Sequence, residues 1–318
     1  MTKVPVVFAF SNNFAMPASI AIKSLIANKN VSTEYDIFVI YDELSEQVKQ
    51  KIETITDINW LKIDDKIFDK APSNSYWTKS VYYRLVIPQL IKEYDKVIYS
   101  DVDVLFKSDL SEIFNCGIEN TYWAGVIAEK NDKNTQCHQY FPENKNEYIY
   151  MSGFMLVNCK KMRDDDFVSK MFDTIEKFAE RLDMFDLEVL NLSTDKISTV
   201  PFEYCVLENI YDEENIKNAP EYPWLSKVYP DEILLNAKKN PKIIHYAGKN
   251  PKIWKRKTKD IPQYYFEYIK NSPFYKKEYY FPTLKMVVKK LAYKILAKIS
   301  LNRETRKIYK NKLSEYHY

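Results

Sequence analysis

Glycine is nearly absent: Gly117, Gly125, Gly153 and Gly248 are the only four among 318 residues. No GxGxxG dinucleotide loop and no GxxxxGK[ST] phosphate loop can be written with them. A nucleotide ligand would therefore have to be held without a glycine-rich cradle. Cysteine is equally sparse. Cys116, Cys137, Cys159 and Cys205 never reach CxxC spacing, so neither a zinc knuckle nor a redox pair is signalled. Scattered thiols of this kind fit a reducing cytosol. No apolar run approaches the roughly 18 residues of a membrane span, and the opening "MTKVPVVFAFSNN" turns polar too soon for a secretory leader. A cytoplasmic, enzyme-sized protein is expected.

What is present is ordinary for a soluble globular chain, with 46% hydrophobic and 29% charged residues. The length suits one large α/β domain with a C-terminal extension. "VPVVFAF" (4–10), "EYDIFVIYD" (34–42), "INWLKID" (58–64) and "DKVIYSDVDVLF" (95–106) read as four buried strands. Between them "FAMPASIAIKSLIANK" (14–29) reads as a helix with Pro17 in its first turn, and "LSEQVKQKIETI" (44–55) as one with Ser45 as N-cap. "SVYYRLVIPQLI" (80–91) is expected to be helical until Pro88 interrupts it. Alternating elements with strands oily on both faces argue a mostly parallel sheet covered by helices, whose ligands sit beyond the strands' carboxyl ends. Further strands are expected at 121–129, 148–158 and from 241, and helices at 166–182 and 186–193.

Two aspartates, Asp101 and Asp103, interrupt the fourth strand. An unpaired buried carboxylate is costly, so the pair needs a partner. As the backbone turns at a strand end, both groups can point at one divalent cation, magnesium or manganese, which could neutralise a diphosphate. The alternative is a pair of solvated turn aspartates. His245 ends the apolar run "KIIH" and can supply an imidazole ligand, or be a strand-edge histidine. His138 and His317 lack such flanks. Gly248 would let the backbone approach a ligand, Lys252 offers a point charge to phosphate, and Trp254 can stack or fill core.

Four stretches in order, "VVFAFSNNFAMPASIAIKSL", "YYRLVIPQLIKEYDKVIYSDVDVLF", "YMSGFMLVNCKKMR" and "IIHYAGKNPKIW", resemble family 8 retaining glycosyltransferases over roughly residues 4 to 255. That group includes bacterial lipooligosaccharide galactosyl- and glucosyltransferases and glycogenin. The resemblance implies a GT-A fold, with residues 1–280 as the transferase domain. Within it, 1–120 would be the nucleotide-sugar half and 121–280 the acceptor half. It implies a UDP-hexose donor, Mn2+ or Mg2+, and a glycan or lipid-linked saccharide acceptor. By position, Asp101, Asp103 and His245 would bind the metal. Ser11, Asn13 and Phe14 would grip uracil and ribose, Phe10 and Val102 would also bind the donor, and Gly248 and Lys252 would contact the diphosphate. Arg84 would orient the donor sugar, with Ser152, Gly153 and Asp186 lining it.

Three positions depart from that pattern. Ser11 replaces an aspartate, Met151 the asparagine of an NxG segment, and Leu187 a glutamine beside the anomeric carbon. A non-catalytic UDP-sugar binder is therefore one alternative. Another is a DxD aspartyl-phosphate phosphatase, with "RDDDF" (163–167) supplying later acids. The triple aspartate also suits the first turn of the next helix. Finally, "LKMVVKKLAYKILAKI" (284–299) places Leu284, Val287, Val288, Leu291, Ile295, Leu296 and Ile299 on one stripe among lysines. From 281 onward there are ten Lys/Arg and two Glu. The stretch 281–318 reads as a basic amphipathic extension for an anionic membrane surface, or as a helix packed on the domain. Nucleic acid is not expected, because no recognisable module accompanies the charge.

Overall fold

The computed structural model describes residues 2–74, 78–248, 251–281, 283–300 and 302–314. The chain divides into two compact units, Met1–His245 and Tyr246–Tyr318. The first is built on strands β1 (Thr2–Ala9), β2 (Thr33–Tyr41), β3 (Asn59–Lys62), β4 (Val97–Ser100), β5 (Val104–Phe106), β6 (Trp123–Lys130), β7 (Tyr148–Val157), β8 (Ile197–Val200), β9 (Val206–Leu207) and β10 (Ile243–His245). Seven of them form a sheet in the order β3-β2-β1-β4-β7-β6-β8; β5, β10 and β9 form a small second sheet.

The expected parallel core is present. β3, β2, β1 and β4 run parallel, and β6 pairs parallel with β8; β7 alone runs against its neighbours β4 and β6. Val4, Val6, Val7 and Phe8 of β1 are wholly buried, so both faces of the strand are covered, as its uninterrupted oily sequence requires. Strand order reverses between β1 and β4. At such a switch point the connections leave in opposite directions and open a crevice beyond the carboxyl ends.

Helices α1 (Ala15–Ala27) and α2 (Glu46–Glu53) follow β1 and β2. Pro17 lies in the first turn of α1, and the Ser45 side chain accepts from the Val48 N–H at the start of α2, both as the sequence indicates. Helices α3 (Phe167–Phe178) and α4 (Asp186–Ser193) lie in the second half.

Three local expectations are corrected. The segment 95–106 is not one strand, since the chain leaves the large sheet after Ser100 and enters the small sheet at Val104. Pro88 does not interrupt a helix. A 3-10 segment, Lys79–Val86, precedes it, and Pro88 sits in the first turn of a short α-helix, Ile87–Leu90, where its missing N–H costs nothing. The acidic run 164–166 does not open α3 either. Asp164 and Asp165 close the preceding helix, bonded to Lys160 and Lys161, and only Asp166, at φ 46°, stands before α3.

The second unit contains α5 (Gln263–Lys270), α6 (Leu284–Ile299) and α7 (Arg303–Ser314). Tyr293 of α6 stacks on Tyr309 of α7, with Lys289 and Lys312 over the Tyr293 ring. Leu284, Val287, Val288, Leu291, Ile295 and Ile299 are 44–81% exposed, so most of the apolar stripe is open. Among the described residues no helix is long and apolar enough to cross a membrane.

Asp109 ties the chain just past β5 to the start of β2. Its carboxylate accepts from the Ser111 hydroxyl, Asn30 N–H (3.0 Å), Thr33 Oγ1 (3.1 Å), Tyr35 O–H (2.9 Å) and Ser111 N–H (2.9 Å). Burial opposes the charge, but these donors outweigh it and hold the pKa below its usual value. A depressed carboxylate pKa stabilises the fold above the unfolded value and loses that contribution as pH falls through the folded one. Asp109→Ala is expected to lower the melting temperature by about 4–8 °C at neutral pH, the effect of losing roughly 2 kcal/mol. Melts at decreasing pH should show the gap closing below the ordinary carboxylate range.

Candidate metal and donor-sugar site

Two strand pairings assemble the site. In β4–β7, Ser100 faces Phe154, and the ladder continues one step as the Asp101 N–H donates to the Gly153 carbonyl at 2.8 Å. In β5–β10, Val104 faces His245. The chain between those registers is Asp101-Val102-Asp103, so both aspartates must lie beside His245. Ligand atoms of Asp101, Asp103 and His245 all fall within 4.8 Å of one another. His245 Nε2 is 3.7 Å from Asp101 Oδ2 and 3.3 Å from Asp103 Oδ1.

The three residues could hold a metal, and the surroundings fit one. Two carboxylates and an imidazole suit a divalent ion that accepts oxygen and nitrogen. Gly153 makes the approach possible: a Cβ there would lie 2.5 Å from His245 Cε1 and 3.0 Å from Asp101 Oδ2. Burial works against a charged His245, but the Cys205 sulfur and the Asp103 carboxylate beside it lift its pKa well above the usual range. A cation competes with that proton.

Arg84 is the other charge of the site. Nη2 donates to Asp101 Oδ1 (2.8 Å), Nη1 to the Ser152 carbonyl (2.7 Å), and Nε to the Val81 carbonyl (3.0 Å). Its guanidinium lies 4.5 Å over the Tyr99 ring, and the Tyr99 hydroxyl also donates to Asp101 Oδ1 at 2.9 Å. Both donors grip one oxygen of Asp101, leaving Oδ2 on the His245 side. Burial alone would weaken Arg84's charge, but Asp101 and Asp186 more than restore it. Asp186 Oδ2 stands 3.2 Å from Arg84 Nη1 as an ion pair without hydrogen-bond alignment. Burial raises Asp186 to about 6, against the pull of Arg84 and Ser152.

Asp186 opens α4 immediately after Phe185, whose φ of 48° and ψ of −105° is a strained backbone for a bulky residue. Glu188 holds that turn. Its Oε2 accepts from the Asp183 N–H (2.7 Å) and Met184 N–H (3.0 Å), while Oε1 is buried without a hydrogen-bond partner among the described residues.

Other expected donor contacts lie just past the end of β1, between the two aspartates, and in the second unit. Phe10 is buried, Ser11 and Phe14 are half-buried and Asn13 is exposed, all just past the end of β1, the parallel neighbour of β4. Val102 is buried between the two aspartates. Lys252 and Gly248 belong to the second unit. There Lys252 is buried and donates to the Tyr246 carbonyl at 3.0 Å. Gly248 has φ 78° and nothing within 4 Å of a would-be Cβ, so backbone conformation rather than crowding calls for glycine. Lys249 and Asn250 of the same motif, and His317, lie outside the described residues. His138 is occupied elsewhere, facing Glu129 at 3.2 Å. The sequence reading missed Tyr99 and Cys205. Tyr99 had a signal, because it stands two residues before Asp101 in a strand and shares its side.

The family model described as "Glycosyl transferase family 8" matches residues 5–258. General stress protein A of Bacillus subtilis is 24% identical over 277 residues, covering 83% of this chain and 92% of that protein. An Escherichia coli lipopolysaccharide 1,2-glucosyltransferase is 25% identical over 252 residues, covering 76% and 70%. The solved galactosyltransferase LgtC, in complex with donor and acceptor sugar analogs, superposes with a TM-score of 0.65 at 20% identity, covering 85% of this chain and 95% of that one. That likeness establishes the GT-A fold.

The Glu188 turn gives a pH test. Burial raises its pKa from 4.5 to about 7, against the two backbone donors. A carboxyl raised in the fold stabilises most below its unfolded pKa, and that contribution is lost as pH climbs through about 7. Relative to Glu188→Gln, the wild type should lose thermal stability between about pH 5 and pH 8. Parallel melting curves across that range would contradict this.

Proposed function

Because the chain belongs to glycosyl transferase family 8, we propose that it transfers glucose or galactose from a UDP-sugar to a glycan or lipid-linked saccharide, retaining the sugar's configuration. The observation that carries this reading is the convergence of Asp101, Asp103 and His245, with Arg84 and Asp186 alongside. The names of the E. coli glucosyltransferase and of LgtC support these two hexoses.

Asp101, Asp103 and His245 would hold Mn2+ or Mg2+, which when bound supplies Lewis-acid stabilisation to a departing diphosphate. Lys252 adds positive charge there, and Gly248 brings its backbone to the phosphates. Ser11, Asn13 and Phe14 grip uracil and ribose, with Phe10 and Val102 also at the donor. Ser11 does so without the charge of an aspartate. Arg84 holds Asp101 in place and orients the sugar, whose hydroxyls meet Asp186, Ser152 and Gly153. That alignment removes much of the entropic barrier to attack.

The two carboxylates near the sugar are already engaged, Asp186 with Arg84 and Glu188 with two backbone N–H groups. Leu187 cannot act as a nucleophile. This favours front-face attack, in which the acceptor hydroxyl bonds to the anomeric carbon as the carbon–diphosphate bond breaks and its proton passes to the leaving oxygen. The phosphatase alternative is disfavoured by the family match over residues 5–258.

We assign 1–280 to the transferase domain and 281–318 to an extension, with the exposed apolar stripe and lysines of α6 facing an anionic membrane surface from the cytoplasmic side.

Asp103→Ala should bind manganese at least about tenfold more weakly and lose at least about 100-fold in transfer or donor hydrolysis, with its circular dichroism unchanged. Calorimetry with UDP and manganese, followed by hydrolysis of UDP-glucose and UDP-galactose, separates the enzyme from a binder. Binding without turnover would leave only the binder. For α6, vesicles with about 30% anionic lipid should retain the wild type and release a Lys285→Glu, Lys289→Glu, Lys294→Glu, Lys298→Glu variant. Equal retention of both would remove the membrane assignment.

A further inference from the structure

His245 Nδ1, the ring nitrogen turned away from the aspartates, lies 3.3 Å from Cys205 Sγ. Cys205 in turn directs its sulfur at Met151 Sδ, 3.5 Å away. All three side chains are buried: His245 is 6%, Cys205 1% and Met151 8% exposed. Their placement follows from the sheets. Cys205 ends the 3-10 turn Phe202–Cys205, directly before β9, and β9 runs parallel to β10 with Leu207 beside His245. Met151 belongs to β7, two residues before the Gly153 that admits the imidazole.

We propose that Cys205 and Met151 are positioning residues for His245, a sulfur pair that keeps its Nδ1 protonated so that Nε2 presents a lone pair to a divalent cation. The inference rests on the metal reading given above. A histidine that ligates through one ring nitrogen needs a hydrogen-bond partner for the other, and that partner fixes both tautomer and ring orientation. Cys205 is the partner here. A thiol, however, can face Nδ1 in two ways. If Sγ–H donates to Nδ1, the ring proton moves to Nε2 and blocks the metal. If Sγ accepts from Nδ1–H, Nε2 stays open. Met151 decides between them: a thioether can only accept, so it draws the Cys205 S–H toward itself and leaves Sγ to accept from the ring. The methionine that departs from the family's asparagine thereby has a physical role.

The test is manganese alone, titrated into the full chain and followed by the electron paramagnetic resonance of the free ion. Cys205→Ala should weaken binding by about tenfold or more, and Cys205→Ser, which keeps an acceptor, should stay within about threefold of wild type. A residue that only fills apolar space predicts the reverse order, with Ala tolerated better than Ser; that result, or equal affinities, overturns the inference. Met151→Leu keeps the volume and loses the acceptor, and is expected to bind more weakly than wild type; unchanged affinity would remove Met151 from the pair.

A second readout needs neither metal nor variant. Nitrogen-15 spectra of the metal-free wild type, taken at a pH high enough for the ring to be neutral, should show a proton on His245 Nδ1 and none on Nε2. An unprotonated Nδ1 overturns the proposal. A wild type that binds no manganese but carries this Nδ1 proton would instead overturn the metal reading and leave the sulfur–imidazole contact standing.

Discussion

The site depends on a change of sheet. Between Ser100 and Val104 the chain leaves one set of hydrogen-bond partners, β7, and takes up another, β10. Three residues span that gap, and two of them are aspartates. On its outgoing side the Gly153 carbonyl pins Asp101; on its incoming side the register opposite Val104 delivers His245. Neither sheet alone would bring a carboxylate and an imidazole together, and the charge of Arg84 offsets the partial burial of Asp101.

The supporting shell is unusually exacting about side-chain size and protonation. Gly153 is set by what would otherwise strike His245 and Asp101. Asp101 is held by two donors on one oxygen. Asp186 begins its helix from a strained Phe185, and Glu188 secures that turn from within the first turn of the same helix. Strain of this kind persists only where surrounding bonds over-determine it. The position it fixes is the carboxylate facing Arg84.

Much of this was legible in the residues. Strands β1 and β2 and the helices that follow them come from oily runs broken by polar turns, and the Ser45 cap from its place before a helical repeat, whereas β3, expected to be buried, is the sheet edge with Asn59 and Lys62 exposed. Asp101 and Asp103 stood out because a buried strand has no other reason to carry them. What stayed hidden depended on distant partners or on local competition. Cys205 meets a histidine 40 residues away, a pairing no spacing rule announces. Pro88 reads as a breaker because the run before it is expected to be helical, whereas the chain forms a 3-10 segment there and Pro88 opens a short α-helix. The run of Asp164–Asp166 suited a helix start by charge, yet lysines four residues earlier draw two of its members into the end of the previous helix.

The account's central claim is that two carboxylates and one imidazole share a single divalent cation in this fold. A crystal of the full chain soaked with manganese and UDP, measured at the manganese absorption edge, tests it most directly. The account predicts one anomalous peak at about 2.0–2.3 Å from oxygens of Asp101 and Asp103 and from Nε2 of His245. A manganese peak elsewhere, or UDP bound with no peak among those three groups, would contradict it.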